Sequence, residues 1–154
     1  VRDYLKTRLF EPLGMKSMVP EFDASGTLIG GSLIHGSARD WARFGEFLRN
    51  RGAVQGAQLV PSAWIDFMTT PSPISPNYGG QLWLNRAPKG GDVQWPGAPT
   101  STFSMNGHLG QYVIISRDNG VTVVRLGKTQ DNLRRPVHEA LAKIITLFPK
   151  GSTT

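Results

Sequence analysis

The sequence predicts an α+β fold: a three-stranded antiparallel meander covered by a C-terminal helix and preceded by a helical segment. Three features predict it. Apolar, β-branched runs at Gln111 to Ser116 and Val121 to Leu126 flank Asp118-Asn119-Gly120, a hairpin turn whose Asn and Gly accept positive φ. A helical stripe follows, in which Val137, Leu141, Ile144, Ile145 and Phe148 fall on one side of a segment from Arg134 to Phe148. Upstream, Ser37 to Asn50 carries helical rather than strand periodicity. Helices first, strands next and a closing helix give α+β.

The elements read in order as follows. Val1, Leu5 and Leu9 share a helical face, and Pro12 ends that helix by pushing Glu11 out of the α region. Residues 20–36 are loop-like, with a turn at Asp23-Ala24-Ser25-Gly26. Ser37 caps the next helix, with Asp40 near a capping-box position, and Trp41, Phe44, Phe47 and Leu48 form its apolar side. Gln55-Gly56 is a turn. A short helix from Pro61 or Ser62 to Met68 is expected to bury Val60, Trp64, Phe67 and Met68. Residues 71–77 are a proline-rich loop, and Gly80 to Asn85 alternates as a strand. Residues 86–101 lack periodicity and read as a long surface loop, a length that is often functional. Thr102 to Asn106 opens the meander, and Gly107 ends that strand. Pro136 suits the first turn of the last helix, where no partner for its missing N–H is needed. Residues 1–150 are expected to be ordered and residues 151–154 to form a disordered tail.

Composition excludes several classes. A chain of 154 residues, 39% hydrophobic and 18% charged, can bury a core and is not of disordered type. It has no cysteine, so disulfides, thiol nucleophiles and thiolate metal sites are out. The net charge of +6 comes from scattered Lys and Arg with no basic run, so a solvated basic surface is expected and a nucleic-acid partner is not. No apolar segment reaches membrane-spanning length. Composition leaves the compartment open between periplasm or outside and cytoplasm.

Few residues carry chemistry. The three histidines, His35, His108 and His138, are far apart and form no metal-binding pattern, so no metal or other cofactor is expected. His138 lies off the apolar stripe of its helix and is expected to face solvent. Leu126-Gly127-Lys128-Thr129 lacks the first glycine of a phosphate loop, and there is no Gly-x-Ser-x-Gly elbow. His108 stands out because Gly107 and Gly110 leave space around it. A plain turn between strands explains the same glycines. The aromatic residues Trp83, Trp95, Phe103 and Tyr112 fit either a pocket lining or ordinary core.

Four segments occur in one order: Phe10-Glu11-Pro12-Leu13-Gly14-Met15, Ser37-Ala38-Arg39-Asp40-Trp41-Ala42-Arg43-Phe44-Gly45, Gly107-His108-Leu109-Gly110-Gln111 and the Asp-Asn-Gly hairpin. Over residues 1 to 148 this order resembles the C-terminal part of the serine β-lactamase-like family. That family includes class C β-lactamases, DD-peptidases, esterases and 6-aminohexanoate-dimer hydrolases. The resemblance implies a serine hydrolase acting through an acyl-enzyme on a small ester or amide. It also implies that residues 1–150 are one half of a domain whose partner is the missing N-terminal half. The Ser-x-x-Lys motif with the nucleophile and the Tyr-x-Asn motif would lie upstream. No serine here has lysine three residues on, and Ser75/Asn77 and Ser104/Asn106 match the second motif only in letters. The chain alone is therefore expected to be inactive.

By the same resemblance, His108-Leu109-Gly110 matches the histidine variant of the family's Lys-Thr-Gly motif. His108 would place a polar group near the substrate, and Gly110 would let the substrate backbone approach. The backbone N–H of Gln111 would be one oxyanion donor, a contribution of roughly 3–4 kcal/mol in other hydrolases. Tyr112 would border the substrate. Histidine in place of lysine favours ester or amide chemistry over β-lactam carboxylate recognition, since imidazole can be neutral at neutral pH. Two other readings follow from the same residues: a non-catalytic penicillin-recognition or ligand-binding module of this fold, and a basic nucleic-acid-binding domain.

Overall fold

In the computed structural model, which describes residues 1–151, the chain opens on a short α-helix, α1 (Arg2–Leu5), that widens into a π turn over Lys6–Phe10. The wide turn shows in Glu11 N–H donating to Lys6 O at 2.9 Å, one residue further back than in an α-helix. It turns Phe10, Leu13 and Met15 into the core, while Leu5 and Leu9 pack against its margin. The expected loop of residues 20–36 contains a two-stranded ribbon, β1 (Val19–Pro20) with β2 (Ile34–His35).

Helix α2 (Ala38–Arg49) starts at Ser37, whose hydroxyl accepts from Asp40 N–H at 3.3 Å. Asp40 itself is buried. Its carboxylate accepts from the Ser17 amide and hydroxyl, both at 2.6 Å, and from Arg43 at 2.6 Å. Burial alone would raise its pKa, but the Ser17 and Arg43 hydrogen bonds outweigh that and lower it. The buried carboxylate thus ties the loop after Met15 to the first turn of α2.

The Gln55-Gly56 turn closes the hairpin of β3 (Ala53–Val54) and β4 (Ala57–Gln58), with both turn residues at positive φ, 49° and 82°. Helix α3 (Ser62–Met68) forms where expected but is phased differently. Ile65 is its buried anchor, whereas Trp64 and Phe67 are 57% and 60% exposed and stack on each other at 5.3 Å. Ile65 takes the fully buried position, while Val60 and Met68 pack half-buried against the same core.

The meander is the centre of a four-stranded antiparallel sheet in the order β5 (Trp83–Leu84), β6 (Phe103–Gly107), β7 (Gln111–Ser116), β8 (Val121–Arg125). Alternation along β7 splits the core in two. Val113 and Ile115 face a cluster with Phe47, Leu48 and Phe103. Tyr112 and Ile114 face the other side, against Trp95 and the helix α4 (Arg134–Thr146) through Leu141, Ala142 and Ile145. Both sheet faces are therefore covered, one by α2 and one by α4. Gly45 sets the approach of α2, because a Cβ there would stand 2.4 Å from Thr122 Cγ2 and 3.0 Å from Val113 Cγ1.

The segment 86–101 is not a surface loop throughout. Trp95 is fully buried, and the side chain of buried Asn85 fixes the segment around it. Asn85 donates to the carbonyls of Trp95, Ala98 and Pro99 at 3.0, 3.1 and 3.2 Å and accepts from Trp95 N–H at 2.9 Å. At the end of the chain Gly151 N–H donates to Asp118 O at 2.8 Å, so the first residue of the expected tail is tied to the hairpin; residues 152–154 lie outside the described residues.

Candidate active site

Strand β6 runs into the turn His108-Leu109-Gly110, and β7 leaves it. The imidazole of His108 is exposed at the tip. Leu109 holds φ 55° and Gly110 φ 89°, so a leucine occupies left-handed backbone here. The end of β8 keeps the turn in place. Arg125 donates to Gly110 O, to Gly127 O at 3.0 Å and to Thr129 Oγ1 at 2.5 Å. Thr129 N–H donates to Leu109 O at 2.8 Å. Two successive carbonyls of the turn are thereby captured, which leaves the histidine between them and Gly107 facing outward.

Three residues expected at the substrate make contacts within the fold. Gly110 is buried, and a Cβ there would meet Arg125 Nη1 at 2.8 Å and Thr129 Cβ at 3.3 Å. The missing side chain makes room for the arginine. Tyr112 is 3% exposed and lies in the core under α4. Its hydroxyl meets His138 Nε2 at 2.8 Å, and both rings stand edge-on to Trp95, at 5.2 and 4.9 Å. Burial raises the Tyr112 pKa and lowers that of His138, with Arg134 adding to the second effect. His138 is therefore half-buried and structural, contrary to its expected exposure.

Gln111 is the third. It stands opposite Gly107 in the β6–β7 register. Its side-chain amide clamps the Gly127 peptide, donating to the carbonyl at 2.8 Å and accepting from the N–H at 2.9 Å. Which way its own N–H points follows from strand alternation. Thr102 O accepts from Asn85 N–H at 2.9 Å, so the backbone groups of Thr102 face the β5 side. Antiparallel strands turn successive residues to opposite sides, which sends those of Ser104 and Asn106 toward β5 and those of Met105 and Gly107 toward β7. Gln111 then exchanges its backbone hydrogen bonds with Gly107 inside the hairpin, so its backbone N–H is already engaged.

The same alternation uncovers a residue that sequence reasoning passed over. Strand β5 pairs with β6 only at Phe103 and Ser104. Beyond them Gln81 turns away at φ 65°. The N–H and C=O of Asn106 therefore point from an open strand edge, and no described residue bonds them. The Asn106 side chain is fixed from behind, accepting from Ser104 Oγ at 2.9 Å and donating to Gln94 Oε1 at 3.0 Å. The one sequence signal was the shortness of the alternating run before Asn85, which cannot reach the end of β6.

The other histidine, His35, pairs with Glu21 at 2.8 Å on the surface. Among the described residues no group of three or more His, Cys, Asp or Glu could hold a metal, and no helix is long and apolar enough to cross a membrane.

No protein-family model and no curated protein matches the chain. Solved structures do. A protein from Bacillus anthracis named as a 6-aminohexanoate-dimer hydrolase matches with a TM-score of 0.71 and 19% identity, covering 91% of this chain and 36% of its own. A β-lactamase from Mycobacterium bovis matches at TM-score 0.69 and 17% identity, covering 94% of this chain and 55% of that one. A protein from Bacteroides dorei named as a β-lactamase matches at TM-score 0.62 and 14% identity, covering 94% and 51%.

The chain has the β-lactamase-like hydrolase fold.

It spans between about a third and about a half of the length of these three neighbours, as expected for the C-terminal part of that fold. Within the β-lactamase-like fold the His108 turn and the free edge of β6 lie side by side and exposed.

Proposed function

We propose that this chain forms one wall of the cleft of a serine hydrolase acting on an ester or amide through an acyl-enzyme, with the attacking serine on polypeptide outside this chain. The observation that carries the proposal is the unpaired edge of β6 at Asn106, next to an exposed histidine, in a β-lactamase-like fold. An N–H on an open strand edge is oriented before any ligand arrives. It can stabilise charge on a carbonyl oxygen without reorganising. In this reading Asn106 N–H takes the oxyanion role expected of Gln111, and its C=O can accept from an amide substrate lying along the edge. The His108 imidazole, held outward by the Arg125 clamp, contacts the polar end of the substrate.

The test is turnover of a p-nitrophenyl ester by this chain and by the longest reading frame that contains it. The chain alone should show none, since no serine here has a lysine three residues on. The longer protein should turn over, and His108→Ala should lower its kcat/KM by roughly 10-fold or more. Turnover by the chain alone, abolished by changing one of its own serines, would overturn the proposal. So would a longer protein whose rate is indifferent to His108→Ala.

A further inference from the structure

Three of the four aromatic residues that fit either a pocket lining or a core belong to the core: Trp95, Phe103 and Tyr112 are 0%, 1% and 3% exposed. Trp83 is 38% exposed. Its place in the sheet explains the difference. Trp83 stands opposite Ser104, Ser104 opposite Ile114 and Ile114 opposite Val123, so these four side chains share one face. Helix α4 covers that face at Ile114, and Trp95 covers it at Ser104, where its indole N–H donates to Ser104 Oγ at 3.3 Å. The face continues past Ser104 as Trp83 and then Tyr78, which forms a β-bridge with Trp83 and meets its ring edge-on at 4.9 Å.

The ring pair is fixed by the turn between them. Gly79 N–H donates to Leu82 O and Gly80 N–H to Met68 O, both at 2.9 Å. A Cβ at Gly79 would overlap Met68 O, so the turn lies tight against the end of α3. The Tyr78 hydroxyl lies 3.5 Å from Gln81 Oε1. Trp83 also borders the candidate cleft. Asn106 is two residues beyond Ser104 on the same face of β6, which makes it the diagonal neighbour of Trp83, within reach of an indole. Tyr78, Gln81, Trp83 and Asn106 together bring two rings and two amides to the open edge, and no carboxylate, ammonium or guanidinium group.

We propose that Trp83 and Tyr78 bind the acyl side of the substrate and select a flat, uncharged, apolar group there, such as an aryl ring. The inference rests on the hydrolase reading of the β6 edge. A carbonyl oxygen at Asn106 N–H puts the group on its carbon beside the indole. A ring laid against Trp83 takes apolar surface of both partners out of water and adds an aromatic contact. A charged group in the same place would lose water without gaining a partner.

The test uses the protein of the longest reading frame that contains this chain. Hydrolysis of trifluoroethyl phenylacetate and trifluoroethyl acetate is followed by proton release, so that the acyl group carries the only ring. The phenylacetate should have the higher kcat/KM, and Trp83→Ala should lower the ratio of the two values about ten-fold or more, while Trp83→Phe keeps most of it. Binding is read separately from the Trp83 indole N–H signal by NMR. Phenylacetamide should shift it with saturation, at a concentration about ten-fold or more below that needed with acetamide. A ratio unmoved by Trp83→Ala would overturn the proposal and leave the hydrolase reading standing. Saturable binding of phenylacetamide without turnover of either ester would sink the hydrolase reading and support the ring-binding site. Absence of saturation, or saturation alike with both amides, would overturn that site whatever the turnover.

Discussion

His138 Nε2 and the Tyr112 hydroxyl, 2.8 Å apart, bolt α4 to the middle strand of the sheet. Burial lowers the His138 pKa from its ordinary value of 6.5, so the neutral imidazole is the form that the fold accommodates. The sign follows directly. In the window between the lowered folded value and 6.5 the unfolded chain binds more protons, so stability is greatest above 6.5 and falls as pH drops through the folded value. The urea midpoint should decline as pH falls below about 6.5, and His138→Gln, which can still accept from the tyrosine, should flatten that decline. A wild-type slope retained in the variant would assign the pH dependence to other groups.

Asn85 organises the segment from Arg86 to Ser101 with a single side chain. Asn85→Ala would leave the carbonyls of Trp95, Ala98 and Pro99 and the amide of Trp95 without their partner. The expected loss is about 3 kcal/mol by urea unfolding, accompanied by a red shift of tryptophan emission as Trp95 is wetted. Asn85→Asp should not rescue it, because a carboxylate cannot donate to the three carbonyls.

How far the sequence reached depends on what each residue's neighbours supply. The meander and α4 were legible because alternation and the helical stripe are local. Trp95 was not, since its burial is imposed by Asn85 ten residues earlier and by a helix that comes forty residues later. Trp64 and Phe67 match a buried stripe in letters, but seven helical residues leave the phase to Ile65. The glycines around His108 correctly marked a special turn. What Gly110 makes room for is Arg125, while Gly107 leaves space for the Gln111 side chain, and the guanidinium's reach across the hairpin has no signature in the one-dimensional pattern. The free Asn106 edge follows from where β5 stops, a fact of pairing rather than composition.

Gly45 is needed for α2 to lie on the sheet. Gly45→Ala places a methyl against Thr122 Cγ2 and Val113 Cγ1, and overpacking of this kind should cost roughly 1–3 kcal/mol despite the better helix propensity of alanine. Thr122→Ser removes the nearest methyl and keeps the hydroxyl that donates to Glu46 at 2.6 Å. The double variant should therefore recover about half of the loss, a coupling visible in a double-mutant cycle of urea midpoints. Additive effects would mean that the contact is relieved elsewhere.

The orientation of β6 can be read from amide exchange without any substrate. Gln111 N–H is inside the hairpin, paired with Gly107 and backed by the Gly127 clamp, so its exchange requires the sheet to open. Asn106 N–H points from the open edge and needs no opening to meet water. Gln111 should exchange at least ~100-fold more slowly than Asn106 once intrinsic rates are divided out. Arg125→Lys should speed Gln111 by loosening the turn while leaving Asn106 unchanged, because lysine cannot span the Gly110 and Gly127 carbonyls and the Thr129 hydroxyl with one planar fork. If Asn106 proves as protected as Gln111, the edge is already paired and cannot offer a donor to a developing oxyanion. The wall of the cleft would then have to be sought on another strand.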